Sequence, residues 1–461
     1  MERSGFSALV ENQRRFFGTG KTRDLDFRIG QLRVLEKLVS QNEDAICDGL
    51  KGDMNKSKFE AYVGELGILM NEITYAAGHL RSWAKPQRVR TPLIHFPATS
   101  RIHSEPLGVV LIIGPWNYPV QLLLTPLVGA MAAGNCAILK PSRHAPHTSE
   151  VIARLIGQSF DPAYVAVAAG GADTSQTLLE EKFDYIFFTG GPAVGKIVAA
   201  AAAKHLTPTT LELGGKSPCI VDRDAQLDVA ARRITWGKFF NAGQTCVAPD
   251  YLLVDKTVKD PLLERIRGSV TEFYGTDPRM SPDYARIVNQ RHFERLVNLL
   301  DQGDIVIGGD TDPSENYIGP TVIDNVSLDH KIMEDEIFGP ILPVISYSDL
   351  GECISIVNRA PKPLSLYFFS GNRANRERVL SETSSGGGTI NDTVLHLSTQ
   401  TLPFGGVGQS GYGKYHGKAS FDTFSNKRSI LHRAFAFDLP LRYPPYGNKL
   451  SLVKKLLRLI G

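Results

Sequence analysis

An open parallel sheet covered by helices on both faces, a doubly wound α/β fold, is what the sequence predicts, on three observations. Short β-rich runs made almost wholly of apolar residues recur in the middle of the chain: GVVLII, NCAILK, AVAAG and DYIFFTG. Segments with helical spacing follow them, as in QLLLTPLVGAMAAG, TSEVIARLIGQSF and AVGKIVAAAAAKHL. Turns built from Gly, Pro and Asn, GPWNYP and TGGPAVGK, stand where a strand gives way to a helix. Strands buried on both faces read as continuous apolar runs, and alternation with helices makes neighbouring strands parallel. Ligands of such sheets bind at the carboxyl ends of the strands.

Taken in order, residues 1 to 85 read as helical: Arg28 to Asp53 and Ser57 to Lys85 repeat apolar residues at three- and four-residue spacing with charged faces between. Residues 86–106, PQRVRTPLIHFPATSRIHSEP, are extended pieces broken by prolines and read as an edge hairpin. The first α/β unit follows. A second alternation begins near Thr209, with LELGGKSPCIV, YLLVDK, DIVIGG, ILPVISY and SLYFFS. LPFGGVGQSGYGKYHG, Leu402 to Gly417, is too rich in glycine for a helix and reads as a closely packed turn region returning toward the active face. The last stretch, KLSLVKKLLRLIG, puts Leu452, Val453, Leu456, Leu457 and Ile460 on one helical face and Lys454, Lys455 and Arg458 on the other.

Composition excludes several classes. The 461 residues are 42% hydrophobic and 21% charged, ample for a globular core. With 51 basic and 48 acidic residues the chain is nearly balanced, so no pull toward nucleic acid is expected. No apolar run is long enough for a spanning helix, and the start lacks the apolar core of a signal peptide, so a cytoplasmic protein is expected. Five cysteines without CxxC pairs or nearby histidines argue for reduced thiols, against a disulfide framework and against a metal site.

Single residues carry two readings each. Cys246, in NAGQTCVAP, is a small core residue or a nucleophile, and its small polar neighbours Gly243, Gln244 and Thr245 favour chemistry. Glu212, in TLELGGKSP, is a strand residue facing water or a desolvated general base. Asn117, in GPWNYP, caps the next helix or donates to an oxyanion. Gly190, Gly191 and Gly195 of TGGPAVGK allow tight packing or bring backbone amides and a helix N-terminus to phosphate.

PWNYP, ILKPS, FTGGPAVGK, LELGGKSP, GQTC, EIFGP and LPFGGVGQSG, in this order and at these intervals, resemble the NAD(P)-dependent aldehyde dehydrogenases over nearly the whole chain. HLTPTTLELGGKSPCIVD and SLDHKIMEDEIFGPILP look most like the class 3 branch, with its fatty and medium-chain aldehyde enzymes. The resemblance implies an aldehyde dehydrogenase-like fold: a doubly wound, Rossmann-type cofactor domain at 1–85 and 107–209, a second α/β catalytic domain at 210–400, a small β bridging element for oligomerisation at 86–106 and 401–435, and a tail with the amphipathic helix at 436–461. It implies a homodimer acting on a small aldehyde, with Cys246 as nucleophile, Asn117 and the Cys246 amide holding the oxyanion, and Glu212 activating the water that hydrolyses a thioester.

For NAD or NADP it implies Trp116, Lys140, Ser142, Gly190, Gly191, Gly195, Glu336 and Phe338. Arg143 stands where many family members carry a glutamate that repels a 2′-phosphate, so NADP is expected to be accepted at least as readily as NAD. Gly191-Pro192 replaces a more usual Ser-Thr. Tyr118, Leu122, Trp236 and Phe404 suggest an apolar tunnel favouring long-chain aliphatic or aromatic aldehydes. The terminal helix reads as a gate at the substrate entrance, with a weak membrane-surface contact as the alternative. Two other functions stay open, a dehydrogenase that passes its thioester to coenzyme A and a catalytically idle protein on the same scaffold.

Overall fold

Val109–Ile113, five apolar residues with no side chain facing water, lies at the centre of a parallel sheet. The computed structural model describes residues 3–438 and 440–460. In this six-stranded sheet the spatial order is Gly411–Tyr412, Thr209–Glu212, Tyr185–Thr189, Val109–Ile113, Cys136–Lys140 and Val165–Val167, parallel except for the first. Chain order reverses between Val109–Ile113 and Tyr185–Thr189, so a crevice opens outside the carboxyl ends of these two strands, at Gly114–Asn117 and Gly190–Gly191.

A second sheet of seven strands runs Asp304–Ile307, Thr321–Asp324, Ile341–Tyr347, Tyr251–Asp255, Pro218–Val221, Ser365–Phe369 and Gly387–Ile390, parallel except at the first pair. The run LELGGKSPCIV therefore corrects one expectation. It is two strands, and Thr209–Glu212 closes the first sheet instead of opening the second, which starts at Pro218. The break falls at Gly214-Gly215, where a Cβ on Gly215 would stand 3.0 Å from the Leu364 nitrogen.

The helical start is as read. Helices Leu25–Gln41 and Gly67–Trp83 pack together and against Gln121–Ala133, which is buried all round and belongs inside the core. Between Lys58–Ala61 and Gly67–Trp83 the chain makes a π-helical turn, Tyr62–Leu66.

Gln87–Val89 and Ala98–Pro106 form the expected antiparallel hairpin, and Ser425–Arg433 completes a three-stranded sheet in register from Ser425 opposite Pro106 to Arg433 opposite Ala98. Of the region 401–435, only this strand joins it. Gly411–Tyr412 pairs with Thr209–Glu212, where Gly411, at φ 118°, would place a Cβ 1.9 Å from the Leu211 carbonyl. Gly417–Thr423 packs on Gln121–Ala133. The terminal helix, Lys449–Ile460, rests on Leu93–His95. The side chains of Leu456 and Ile460, expected on its apolar face, lie outside the described residues. Among the described residues no helix is long and apolar enough to cross a membrane.

Candidate active site

The thiol loop is built by an unusual backbone. Helix Leu227–Phe239 ends, and Asn241, Ala242 and Gly243 adopt left-handed φ values of 55°, 50° and 71° in succession. Such conformations cost on the order of 1 kcal/mol or more at non-glycine residues and persist only where surrounding structure enforces them. Here a Cβ on Gly243 would lie 2.2 Å from the Gly339 carbonyl oxygen, so the loop is pressed against EIFGP. Gln244 Nε2 donates to the carbonyls of Asn241 and Arg286, and its Oε1 accepts from the Val288 amide, each at 3.0 Å. Cys246 follows. It is the one cysteine that keeps partial exposure; Cys47, Cys136, Cys219 and Cys353 are buried.

Two cavities meet at Cys246. The first, about 210 Å³, lies at the strand-order reversal and is lined by Trp116, Asn117, Gly190, Gly191, Glu212, Glu336 and Phe338 as well as Cys246. The second, about 90 Å³ and so the narrower, runs from Cys246 between Tyr118, Leu122, Trp236 and Phe404 toward Val63, Gly64 and Leu395. The structure thus brings together the residues singled out for chemistry, and all four residues named for a tunnel line one passage.

Glu212 is 3% exposed, and neither carboxylate oxygen has a hydrogen-bond partner. It faces the cavity, not water. Burial holds its pKa well above the carboxylate range, opposed by the Lys414 charge. Glu336 stands against Gly214, where a Cβ would be 1.8 Å from its Oε2, so LELGG and EIFGP touch at this point. Burial first and the Asp250 charge second push Glu336 to about 8. Burial, with the Glu336 and Glu212 charges behind it, raises the Cys246 thiol, and the amides of Cys246 and Val247 oppose that.

Asn117 Nδ2 donates one N–H to the Gln244 carbonyl at 3.0 Å, which leaves the second N–H for the first cavity, whose wall Asn117 forms. Trp116 meets the Phe338 ring edge-on at 5.4 Å.

Lys140 is buried rather than solvated, donating to the carbonyls of Pro141 and Gly170, each at 2.8 Å, and burial followed by the Arg143 charge lowers it to about 8. Lys140, Ser142 and Arg143 do not line the first cavity; they follow the adjacent strand, Cys136–Lys140, with Arg143 exposed over Gly171. Gly195, expected at the cofactor, does not line the first cavity. It faces Leu213 and Phe188, with 2.7 Å between a Cβ and Leu213 Cδ2, so its missing side chain serves packing. None of the described residues of the terminal helix lines either cavity, and the helix touches Leu93–His95.

Sequence reasoning missed Thr189, His292, Arg295 and Tyr415 on the first cavity. Arg295 Nη2 donates to the Ile337 carbonyl at 2.6 Å and steadies EIFGP. The Thr189 hydroxyl is buried without a partner, like the Glu212 oxygens, so polar groups of this wall await a ligand with donors and acceptors of its own. Such a wall fits a nicotinamide and its ribose.

Comparison with known proteins gives the same answer throughout. The model of the Aldehyde dehydrogenase family matches residues 4–430. The chain is 50% identical over 441 residues to the 4,4'-diaponeurosporen-aldehyde dehydrogenase of Staphylococcus aureus, covering 95% of this chain and 96% of that one. It is 46% identical over 449 residues to a Mus musculus protein named aldehyde dehydrogenase, dimeric NADP-preferring, covering 97% and 99%. A solved structure described as the substrate-bound state of Staphylococcus aureus AldH superposes with a TM-score of 0.96 at 48% identity, over 98% of this chain and 99% of that one.

Proposed function

This chain belongs to the aldehyde dehydrogenase family and oxidises aldehydes to carboxylic acids with NAD(P), and we propose that Cys246, Asn117 and Glu212 carry that chemistry. The observation behind the assignment is the meeting of two cavities at one partly exposed thiol, with an unpartnered carboxylate on the wall of the first. An aldehyde entering by the second cavity presents its carbonyl to the Cys246 sulfur, which adds to the carbon as the thiol proton is released to water in the cleft. The free N–H of Asn117 and the Cys246 amide donate to the oxygen as it becomes an oxyanion. NAD(P) in the first cavity supplies the hydride acceptor, and Cys246 is left as a thioester. Glu212 then removes a proton from water as it attacks, and the acid is released. An active-site base for water makes transfer to coenzyme A the lesser reading.

Glu336 and Phe338 are assigned to the nicotinamide ribose and ring, Trp116, Gly190 and Gly191 to the cofactor beyond, and Lys140, Ser142 and Arg143 to the adenosine end. The amides at the N-terminus of helix Pro192–Ala203 would hold the cofactor phosphate. Arg143, exposed and cationic, offers a 2′-phosphate a partner, so NADP is used at least as well as NAD.

One kinetic survey checks substrate and cofactor together. Following cofactor reduction, kcat/KM is expected to rise about tenfold or more from a three-carbon to a ten-carbon aldehyde, since each buried methylene contributes about 0.8 kcal/mol. Arg143→Glu is expected to raise KM for NADP about tenfold or more and leave NAD nearly unchanged. A flat chain-length profile sinks the tunnel; an unchanged NADP constant sinks the Arg143 assignment.

The homodimer is proposed on the three-stranded sheet, whose outer strand Ser425–Arg433 leaves an edge unpaired within the chain. Light scattering is expected to give twice the chain mass of 50.6 kDa, and a monomer at micromolar concentration refutes it.

A further inference from the structure

Lys56 and Glu65 make an ion pair at 2.6 Å in which neither side chain has any exposure. Neither lines the two cavities that meet at Cys246. Removing two charges from water is costly, and an apolar pair of the same volume is often as stable or more so. A pair retained at this depth therefore points to what else its atoms hold.

Lys56 Nζ also donates to the Asn117 carbonyl at 3.1 Å and stands 4.3 Å from the centre of the Tyr118 ring. Glu65 Oε2 accepts from the amides of Val120 at 2.8 Å and Gln121 at 3.2 Å, where helix Gln121–Ala133 begins. The pair grips the loop at Asn117 itself and again at Val120 and Gln121, just after it. Asn241 Nδ2 donates to the same Asn117 carbonyl at 3.0 Å, Asn117 Nδ2 reaches the Gln244 carbonyl, and the Tyr118 hydroxyl meets Thr245 Oγ1 at 2.6 Å. Through these contacts the ion pair is connected to the residues immediately before Cys246.

The π-helical turn explains how Glu65 reaches this position. Its defining bond runs from the Gly67 amide to the Tyr62 carbonyl, and the added residue lets adjacent Gly64 and Glu65 both face inward. Gly64 meets Phe240 and Tyr118, each 3.1 Å from where its Cβ would be.

We propose that Lys56 and Glu65 are positioning residues for aldehyde oxidation, holding the Asn117 loop so that the free carboxamide N–H points at the oxyanion formed on Cys246. This rests on the assignment of Asn117 given above. Neither residue touches substrate or cofactor; both act through Asn117.

The test uses the full chain with Lys56→Met and Glu65→Leu combined, which leaves no orphaned charge, alongside Asn117→Ala, the triple variant and Lys56→Arg. The combined variant is expected to bind NADP, measured by fluorescence quenching, within about twofold of the parent. Its kcat is expected to fall by about 10- to 100-fold, the scale of a misplaced or weakened oxyanion donor, with KM for aldehyde little changed. The triple variant is expected to be no slower than Asn117→Ala alone, and Lys56→Arg to recover part of the loss. Undiminished kcat in the folded combined variant, or losses that multiply with that of Asn117→Ala, overturns the proposal while leaving the Asn117 assignment standing. Full activity in Asn117→Ala overturns both. Should the combined variant not fold, Glu65→Gln serves: a lowered kcat at unchanged NADP affinity supports the proposal, and an unchanged kcat ends it.

Discussion

Cys246→Ala is expected to lose aldehyde oxidation by on the order of 10⁴-fold or more, and Cys246→Ser to fare little better. Deleting the atom that forms the covalent intermediate removes the reaction step itself, and a serine hydroxyl ionises far less readily than a thiol. Cofactor affinity and melting temperature should hardly move, because the loop is fixed by Asn241, Gln244 and Thr245 rather than by the sulfur. Iodoacetamide applied to the native protein should label Cys246 and spare the other four thiols. Burial shields those four, whereas Cys246 keeps partial exposure where the two cavities meet. Peptide mass mapping reads the label. A Cys246→Ala variant with more than a tenth of parental activity would show that another group attacks the carbonyl.

Glu212→Gln is expected to stop the cycle at a later stage. Loss of a general base costs about 10²- to 10⁴-fold in the step that uses it, which here is hydrolysis. The first turnover should survive, so the protein should accumulate as an acyl adduct on Cys246, visible as added mass on the intact chain. In the parent, hydrolysis should speed up with pH as the raised Glu212 carboxyl ionises, and this rise should vanish in the variant. Stability moves the other way. A carboxyl whose pKa is raised by folding favours the folded chain below its unfolded pKa, and that contribution is lost as pH climbs through the folded value. Glu212→Gln, neutral throughout, should therefore melt higher than the parent under alkaline conditions. An unacylated protein with a normal hydrolysis rate would remove Glu212 from the mechanism.

Asn117, Glu212 and Cys246 were legible because each interrupts a pattern. They are polar or reactive groups at the ends of buried strands and helices; small neighbours mark Cys246, while for Asn117 and Glu212 the order of the family motifs chose between two open readings. The helix Gln290–Val297 gave no such sign. His292 and Arg295 lie on its polar side, and a helical polar side looks the same in sequence whether it meets solvent or a cofactor cleft. Lys56 and Glu65 were hidden because one is a lysine in a link between helices and the other an acid within a helical run, neither of which announces burial. The shortness of the join in LELGGKSPCIV concealed a crossing between sheets, since two buried strands so close in sequence read as one. Amphipathicity of the terminal helix did not say that it would lie beside Leu93–His95.

Glu212 ends a strand of the first sheet, whereas Cys246 leads into Tyr251–Asp255 of the second. Base and thiol are thus bolted to separate platforms, and their spacing is a property of how those platforms are seated. Asn117 also follows a strand of the first sheet, so a change in that seating alters carbonyl capture and acid release together.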